Sequence, residues 1–347
     1  MRNFLKMLLV SIVSGLVICA FPDNADASPQ ATSTLEAVQA RGHLNCGVSH
    51  GRPGFSRPDA SGRWAGLSAD VCRAVAAAIF GDADKVVFTP LTTIDNYTTL
   101  QAGDVDILFY GMAWTLTRDF HYDLEFVQPI FYDSTGFLAP KSLALTSARE
   151  LDGGTVCVFV ESLNELDVLD FAAKHGLNLK VVSFEYAPDL VLAYETGACD
   201  TVGGDLSALV ALLTRAEAAE AHEILPDVIS KVPISPVVRQ DDDHWRNIVE
   251  WTVFALLRAE ESGITSGNID EMVESADPVV RRLFGSSGDT GKRMGLPRDW
   301  AYQIVSQVGN YAEIFDRNLG PETQLNQERG LNALWRDDGL MYPIPFR

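Results

Sequence analysis

Long hydrophobic runs are scarce in this chain of 347 residues. The apolar stretch from Met7 to Phe21 falls short of the roughly 20 residues that a spanning helix needs. Basic residues are also few: 27 Lys and Arg stand against 47 Asp and Glu, a net charge of −20. Such a balance argues against nucleic acid and anionic lipid as partners. The six histidines form no H-x-x-x-H pair and none neighbours a cysteine at zinc spacing. No G-x-S-x-G elbow is present. Gly285 to Lys292 glances at a phosphate loop, but it has one residue too many between its glycines and Arg293 where Ser or Thr is needed. The acidic run Asp241-Asp242-Asp243 lacks calcium-loop spacing and reads as a helix start favoured by the helix dipole. Neither an internal repeat nor a low-complexity segment occurs. No metal, no cofactor and no catalytic constellation are expected.

What is there begins with an export signal. Arg2 and Lys6 precede the apolar run, and Ala25-Asp26-Ala27 offers an A-x-A cleavage site. Cys19 suggests a lipoprotein at first sight, but Ile18 precedes it where a small residue is normally required. Cleavage after Ala27 and delivery to the periplasm are expected. The remainder is too long for one core and points to two lobes.

Along the chain, strands and helices alternate. Leu44 to Val48 reads as a strand, followed by the Gly51-Arg-Pro-Gly-Phe55 loop. Ser68 is a candidate cap for a helix over 69–80 closed by Gly81, followed by a strand over 86–89 and a helix over 92–102 closed by Gly103. This order implies a mostly parallel sheet covered on both faces. A second α/β unit follows, with strands over 155–160, 180–184 and 201–203 and helices over 165–175 and 189–195. Segments 131–138 and 229–236 would carry the chain out and back. Trp245, Ile248, Val249, Thr252 and Leu256 recur at helical spacing and mark a core face. A helical tail starts near residue 263.

The most telling string is Gly111-Met-Ala-Trp-Thr-Leu-Thr-Arg118-Asp119, between Asp104-Val-Asp-Ile-Leu-Phe and Phe126-Val-Gln-Pro-Ile-Phe-Tyr-Asp133. An arginine among hydroxyls, where a strand gives way to a helix, suits a carboxylate clamp, although a surface ion pair is the commoner role of a lone arginine. Together with Arg41 to His50, Gly62 to Cys72, Val237 to Asp241, Val308 to Phe315 and Arg329 to Trp335, this string resembles the periplasmic amino-acid-binding proteins of ABC importers, nearest their general L-amino-acid-binding branch. The likeness runs from about Thr34 to Arg347.

The resemblance implies an α/β, two-lobed periplasmic-binding-protein fold with a two-strand hinge and a helical C-terminal extension. Lobe 1 would comprise 34–137 and 233–262, lobe 2 138–232, and the extension 263–347, packed on the lobes. It implies Arg118 and Asp205 as holders of a ligand's carboxylate and ammonium, with Phe55, Met112, Ala113, Thr115, Ser162 and Leu163 around them. Glycines before Asp205 would clear the ligand's approach, while helix capping is the plainer role for that aspartate. Four cysteines remain after cleavage. Cys46 with Cys72 and Cys157 with Cys199 are the expected disulfides, one in each lobe, with buried thiols as the alternative.

Several positions depart from the family pattern. Gly111, Met112 and Ala113 stand where relatives carry hydroxyl or amide groups, and Glu161-Ser162-Leu163 replaces a Gly-Thr-Thr turn. Arg52 stands where relatives place an apolar or aromatic residue. It is expected to face Glu161 or an anionic ligand group, unless it is merely solvated. Partners implied are an amino acid or related small molecule and an inner-membrane permease, with the protein a monomer. A prephenate-type dehydratase on the same scaffold is the rival reading, with Glu161 as its acid/base. A sensor ectodomain is a third, disfavoured because no spanning helix follows Arg347.

Overall fold

The structure is a computed structural model. It describes residues 33–49, 51–92, 95–160, 162–213 and 219–347. The expected signal segment, His50 and Glu161 lie outside the described residues. Among the described residues no helix is long and apolar enough to cross a membrane.

Two five-stranded sheets organise the chain. The first runs Val86–Leu91, Leu44–Ser49, Ile107–Phe109, Val237–Arg239, Leu124–Phe126. Its first three strands are parallel, and Val237–Arg239 is antiparallel to both neighbours. The second runs Lys180–Phe184, Thr155–Phe159, Thr201–Asp205, Thr135–Pro140, His222–Ile224. Again three strands are parallel, and Thr135–Pro140 is antiparallel to the strands beside it. Each sheet therefore has an inner strand supplied by a chain segment arriving from the other lobe. The link between them is the antiparallel pair Phe131–Asp133 and Val232–Ile234. The protein has the two-lobed periplasmic-binding-protein fold with this hinge.

The helix Leu67–Phe80 begins earlier than its sequence signal suggests. Its cap is Gly66 (φ 125°), not Ser68, whose hydroxyl is buried inside the helix without a partner among the described residues. Glycine is required there because a Cβ would come within 2.2 Å of the Phe55 backbone. Helix Asp243–Glu261 buries the periodic face read from the sequence, Trp245, Ile248, Val249, Thr252 and Leu256, and is capped by Asp242. The short strands Leu124–Phe126, Val237–Arg239 and His222–Ile224 carry little period-2 signal, since each is only three residues long.

The C-terminal helices share the first lobe's core. Trp300, Ile304, Val305, Ile314 and Phe315 are buried in the same cluster as Val71, Val75 and Ile248. Asp70 ties them down, accepting hydrogen bonds from Arg317 Nε at 2.8 Å and Asn318 Nδ2 at 2.7 Å. Further on, the Asn332 side chain brackets the hinge strand, accepting from the Tyr132 N–H at 2.6 Å and donating to its carbonyl at 3.1 Å.

Disulfides join Cys46 to Cys72 and Cys157 to Cys199, with Cα–Cα distances of 6.4 and 5.7 Å. The second closes a separation of 42 residues in the smaller core. Replacing both Cys157 and Cys199 with serine should destabilise that lobe by about 2–4 kcal/mol, read as an earlier urea transition. An unchanged transition would show that the bond adds nothing.

Candidate ligand-binding site

The strand Ile107–Phe109 ends at a loop that pairs with the hinge. Trp114 N–H donates to the Pro233 carbonyl at 2.8 Å, Ser235 N–H donates to the Met112 carbonyl at 3.3 Å, and Ala113 bridges Ile234. These bonds fix the loop, and Thr115 then caps the helix Leu116–His121 by accepting from the Arg118 N–H at 3.3 Å. Met112 and Ala113 are buried, Met112 among Leu91, Leu100 and Leu124. Trp114 is partly exposed and stacks on Phe126.

Arg118 is half-buried, and its Nη1 donates to the Ala113 carbonyl at 2.9 Å. Among the described residues it forms no ion pair, so the guanidinium keeps donors for another acceptor. Tyr97 lies near it. Burial raises the phenol above its usual pKa, and the positive charge of Arg118 works against that rise.

Arg52, in the loop after the first strand, reaches the junction of the lobes. Its Nη2 donates to Asp205 Oδ2 at 3.1 Å, Asp133 Oδ2 at 3.2 Å and Ser207 Oγ at 2.7 Å. The guanidinium stacks over Phe55, 4.3 Å from its centroid, and Phe55 meets Phe131 of the hinge edge-on at 5.1 Å. The partners of Arg52 are thus the hinge carboxylate and the end of a second-lobe strand, so it is no solvated loop residue. A pairing with Glu161 falls outside the described residues. Gly111 makes room for the arginine, because a Cβ there would come within 2.6 Å of Nη1.

Asp205 ends the strand Thr201–Asp205, with Oδ1 accepting from Asn164 Nδ2 at 2.9 Å. The start of the next helix, Leu206–Leu213, takes its carboxylate from elsewhere: Ser207 N–H donates to Asp133 Oδ1 at 3.3 Å. The glycines before Asp205 also serve packing. A Cβ on Gly203 would lie 2.8 Å from Val168, and one on Gly204 would lie 3.3 Å from Leu209. Ser162 is committed to its helix, accepting from Glu165 N–H at 3.1 Å and donating to the Phe159 carbonyl at 2.6 Å. Leu163 and Val210 of the second lobe pack against the first lobe's core.

The signal that sequence reasoning missed is Asp133. It is buried and accepts bonds from Ser134, Ser207 and Arg52. Asn164, which also donates to Thr135 Oγ1 at 2.8 Å, was equally unmarked. Asp133 lies in the crossing segment read over 131–138, and Asn164 just ahead of the helix read over 165–175, which in fact starts at Leu163. Two surface hollows, one around Trp64 and Arg73 and another around Arg258 and Trp335, include none of these junction residues.

Comparisons with known proteins decide the family. Residues 44–263 match the bacterial extracellular solute-binding proteins, family 3. This chain belongs to that family. It is 44% identical to a putative amino-acid ABC transporter-binding protein, YhdW, of Escherichia coli O157:H7, over 99% of each chain. It is 42% identical to the general L-amino acid-binding periplasmic protein AapJ of Rhizobium johnstonii, over 99% of this chain and all of that one. A solved periplasmic binding protein from Brucella ovis with glutathione bound superposes with a TM-score of 0.88 at 42% identity, covering 91% of this chain and 99% of that one. These family 3 relatives are binding proteins, and this chain is a solute-binding protein of the same kind.

Burial, reinforced by the charge of Asp205, pushes the Asp133 carboxyl from 3.8 up to about 6, against the opposing pull of Arg52. The folded protein then holds a proton that the unfolded chain releases, so the contribution of this group to stability is fully present below pH about 4 and is lost as pH rises through about 6. Urea unfolding across pH 4 to 7 should show this decline, on the order of 1–3 kcal/mol, flattened by Asp133→Asn. The same slope in both proteins would assign it to other groups.

Proposed function

We propose that this protein captures an amino acid or an amino-acid-like small molecule between its lobes and hands it to an ABC permease. The observation that carries the reading is Arg118, a guanidinium held at the carboxyl end of a first-lobe strand by the Ala113 carbonyl and the Tyr97 phenol, with no ion-paired carboxylate among the described residues. Ligands of open α/β sheets bind outside such strand ends. Asp205, at the corresponding end of a second-lobe strand, supplies the facing wall, with Phe55, Met112, Ala113, Thr115, Ser162 and Leu163 shaping the space between. The names of the relatives support the ligand class, since they include an amino-acid-binding periplasmic protein and a transporter-binding protein.

Export follows from the leader, with cleavage after Ala27, and the mature protein works in the periplasm as a monomer. No bond is made or broken. The lobes close on the ligand about the hinge pair and open to release it. Lobe 1 comprises 34–137 and 233–262, lobe 2 138–232, and the remainder forms the extension.

Native mass spectrometry of the purified protein, followed by a thermal-shift panel of amino acids and dicarboxylates, would name the ligand. With the best ligand in hand, Arg118→Ala should weaken binding by about 2–5 kcal/mol in calorimetry while the melting temperature of the unliganded protein stays put. Equal affinity for parent and variant would remove Arg118 from the site.

A further inference from the structure

We infer that Arg52 recasts the subsite around Asp205, so that the cleft takes a carboxylic acid bearing an oxygen acceptor, not a free ammonium, on its α-carbon. The class is a 2-oxo or 2-hydroxy acid, or an acid whose α-nitrogen is acylated. This deepens the solute-binding reading above and rests on it.

An α-ammonium group is held best by a carboxylate whose charge no other cation already balances. Both oxygens of Asp205 are already engaged, Oδ2 by Arg52 at 3.1 Å and Oδ1 by Asn164 at 2.9 Å. The cation an incoming ammonium would meet there is the guanidinium itself, and like charges at such range repel. Moving Arg52 aside is unfavourable. Its Nη2 also serves Asp133 and Ser207, and its plane rests on Phe55. Asp133, whose side chain is 4% exposed, would be left facing Asp205 without a cation.

The same side chain offers something an oxygen would use. A guanidinium carries five N–H donors and no acceptor. All the side-chain hydrogen bonds of Arg52 among the described residues run through Nη2. Nη1 lies against Gly111 (φ 86°), in the space a Cβ would take, and its N–H groups have no acceptor among the described residues. A keto, hydroxyl or acyl oxygen placed there would accept from Nη1 while the ligand's carboxylate rests on Arg118. The two guanidinium groups thus flank the 111–113 backbone, one at Gly111 and one at the Ala113 carbonyl.

The test is a calorimetric panel of alanine, leucine and glutamate, each with its 2-oxo, 2-hydroxy and N-acetyl counterpart. The parent, Arg52→Gln, Arg52→Leu and Arg118→Ala would be compared, each first checked by its melting curve. Expected is a preference of tenfold or more for at least one oxygen-bearing compound over its amino acid in the parent. Both Arg52 variants should narrow or invert that preference, and Arg52→Gln keeps the test alive if Arg52→Leu fails to fold. Which counterpart binds separates the oxo and hydroxy acids from the acylated amines. If the parent binds the amino acids as well as or better than their counterparts, or if Arg52→Gln leaves the preference intact, the inference is overturned and the solute-binding reading stands. If no compound binds any of the proteins, or Arg118→Ala binds as the parent does, the solute-binding reading fails with it.

Discussion

One guanidinium holds two carboxylates at the point where the lobes meet. Arg52 comes from a first-lobe loop, Asp133 from the hinge strand, and Asp205 from a second-lobe strand. Buried charges persist only when paired and hydrogen-bonded. Here the pairing is completed by Ser207, Ser134 and Asn164, which leave little of either carboxylate unsatisfied. The network also caps a helix, since Asp133 takes an N–H at the start of Leu206–Leu213. Loop, hinge and second lobe are therefore fixed by the same few bonds.

The hinge itself is braced from outside. Two strands of three residues each would be a weak joint alone. The extension strengthens it: Tyr311 donates its hydroxyl to the Ile130 carbonyl at 2.6 Å, and Asn332 pairs with the Tyr132 backbone as a neighbouring strand would. Arg329 fastens this part of the tail by pairing with Glu260 and stacking over Tyr311 and Phe315. A tail that reads in sequence as an appendage thus contributes to the first lobe's core and to the hinge geometry.

How much was legible depends on the range of each interaction. Helices such as Asp243–Glu261 and Leu163–His175 are written locally, in apolar spacing and caps, so their presence, and the buried face of the first, could be read directly. Arg118 stood out because its neighbours carry a recognisable pattern. The three-residue strands Leu124–Phe126, Val237–Arg239 and His222–Ile224 could not be seen, because their existence depends on partners far along the chain. Ser68 misled as a cap, because the close backbone of Phe55 forces the helix to start at Gly66. The Gly203–Gly204 pair has a packing role that was equally hidden. Its missing side chains make room for Val168 and Leu209, contacts that no local pattern announces.

The sequence by itself determined the family, the alternating α/β order and the crossing segments. Those are matters of composition, spacing and residue chemistry. Only the tertiary structure decided what Arg52 does. Its partners are 81 and 153 residues away, and a guanidinium's role is set by which acceptors folding brings within about 3 Å. The same holds for Asp133. A carboxylate in an apolar strand becomes the electrostatic centre of the junction only because the hinge buries it beside another acid and one shared cation.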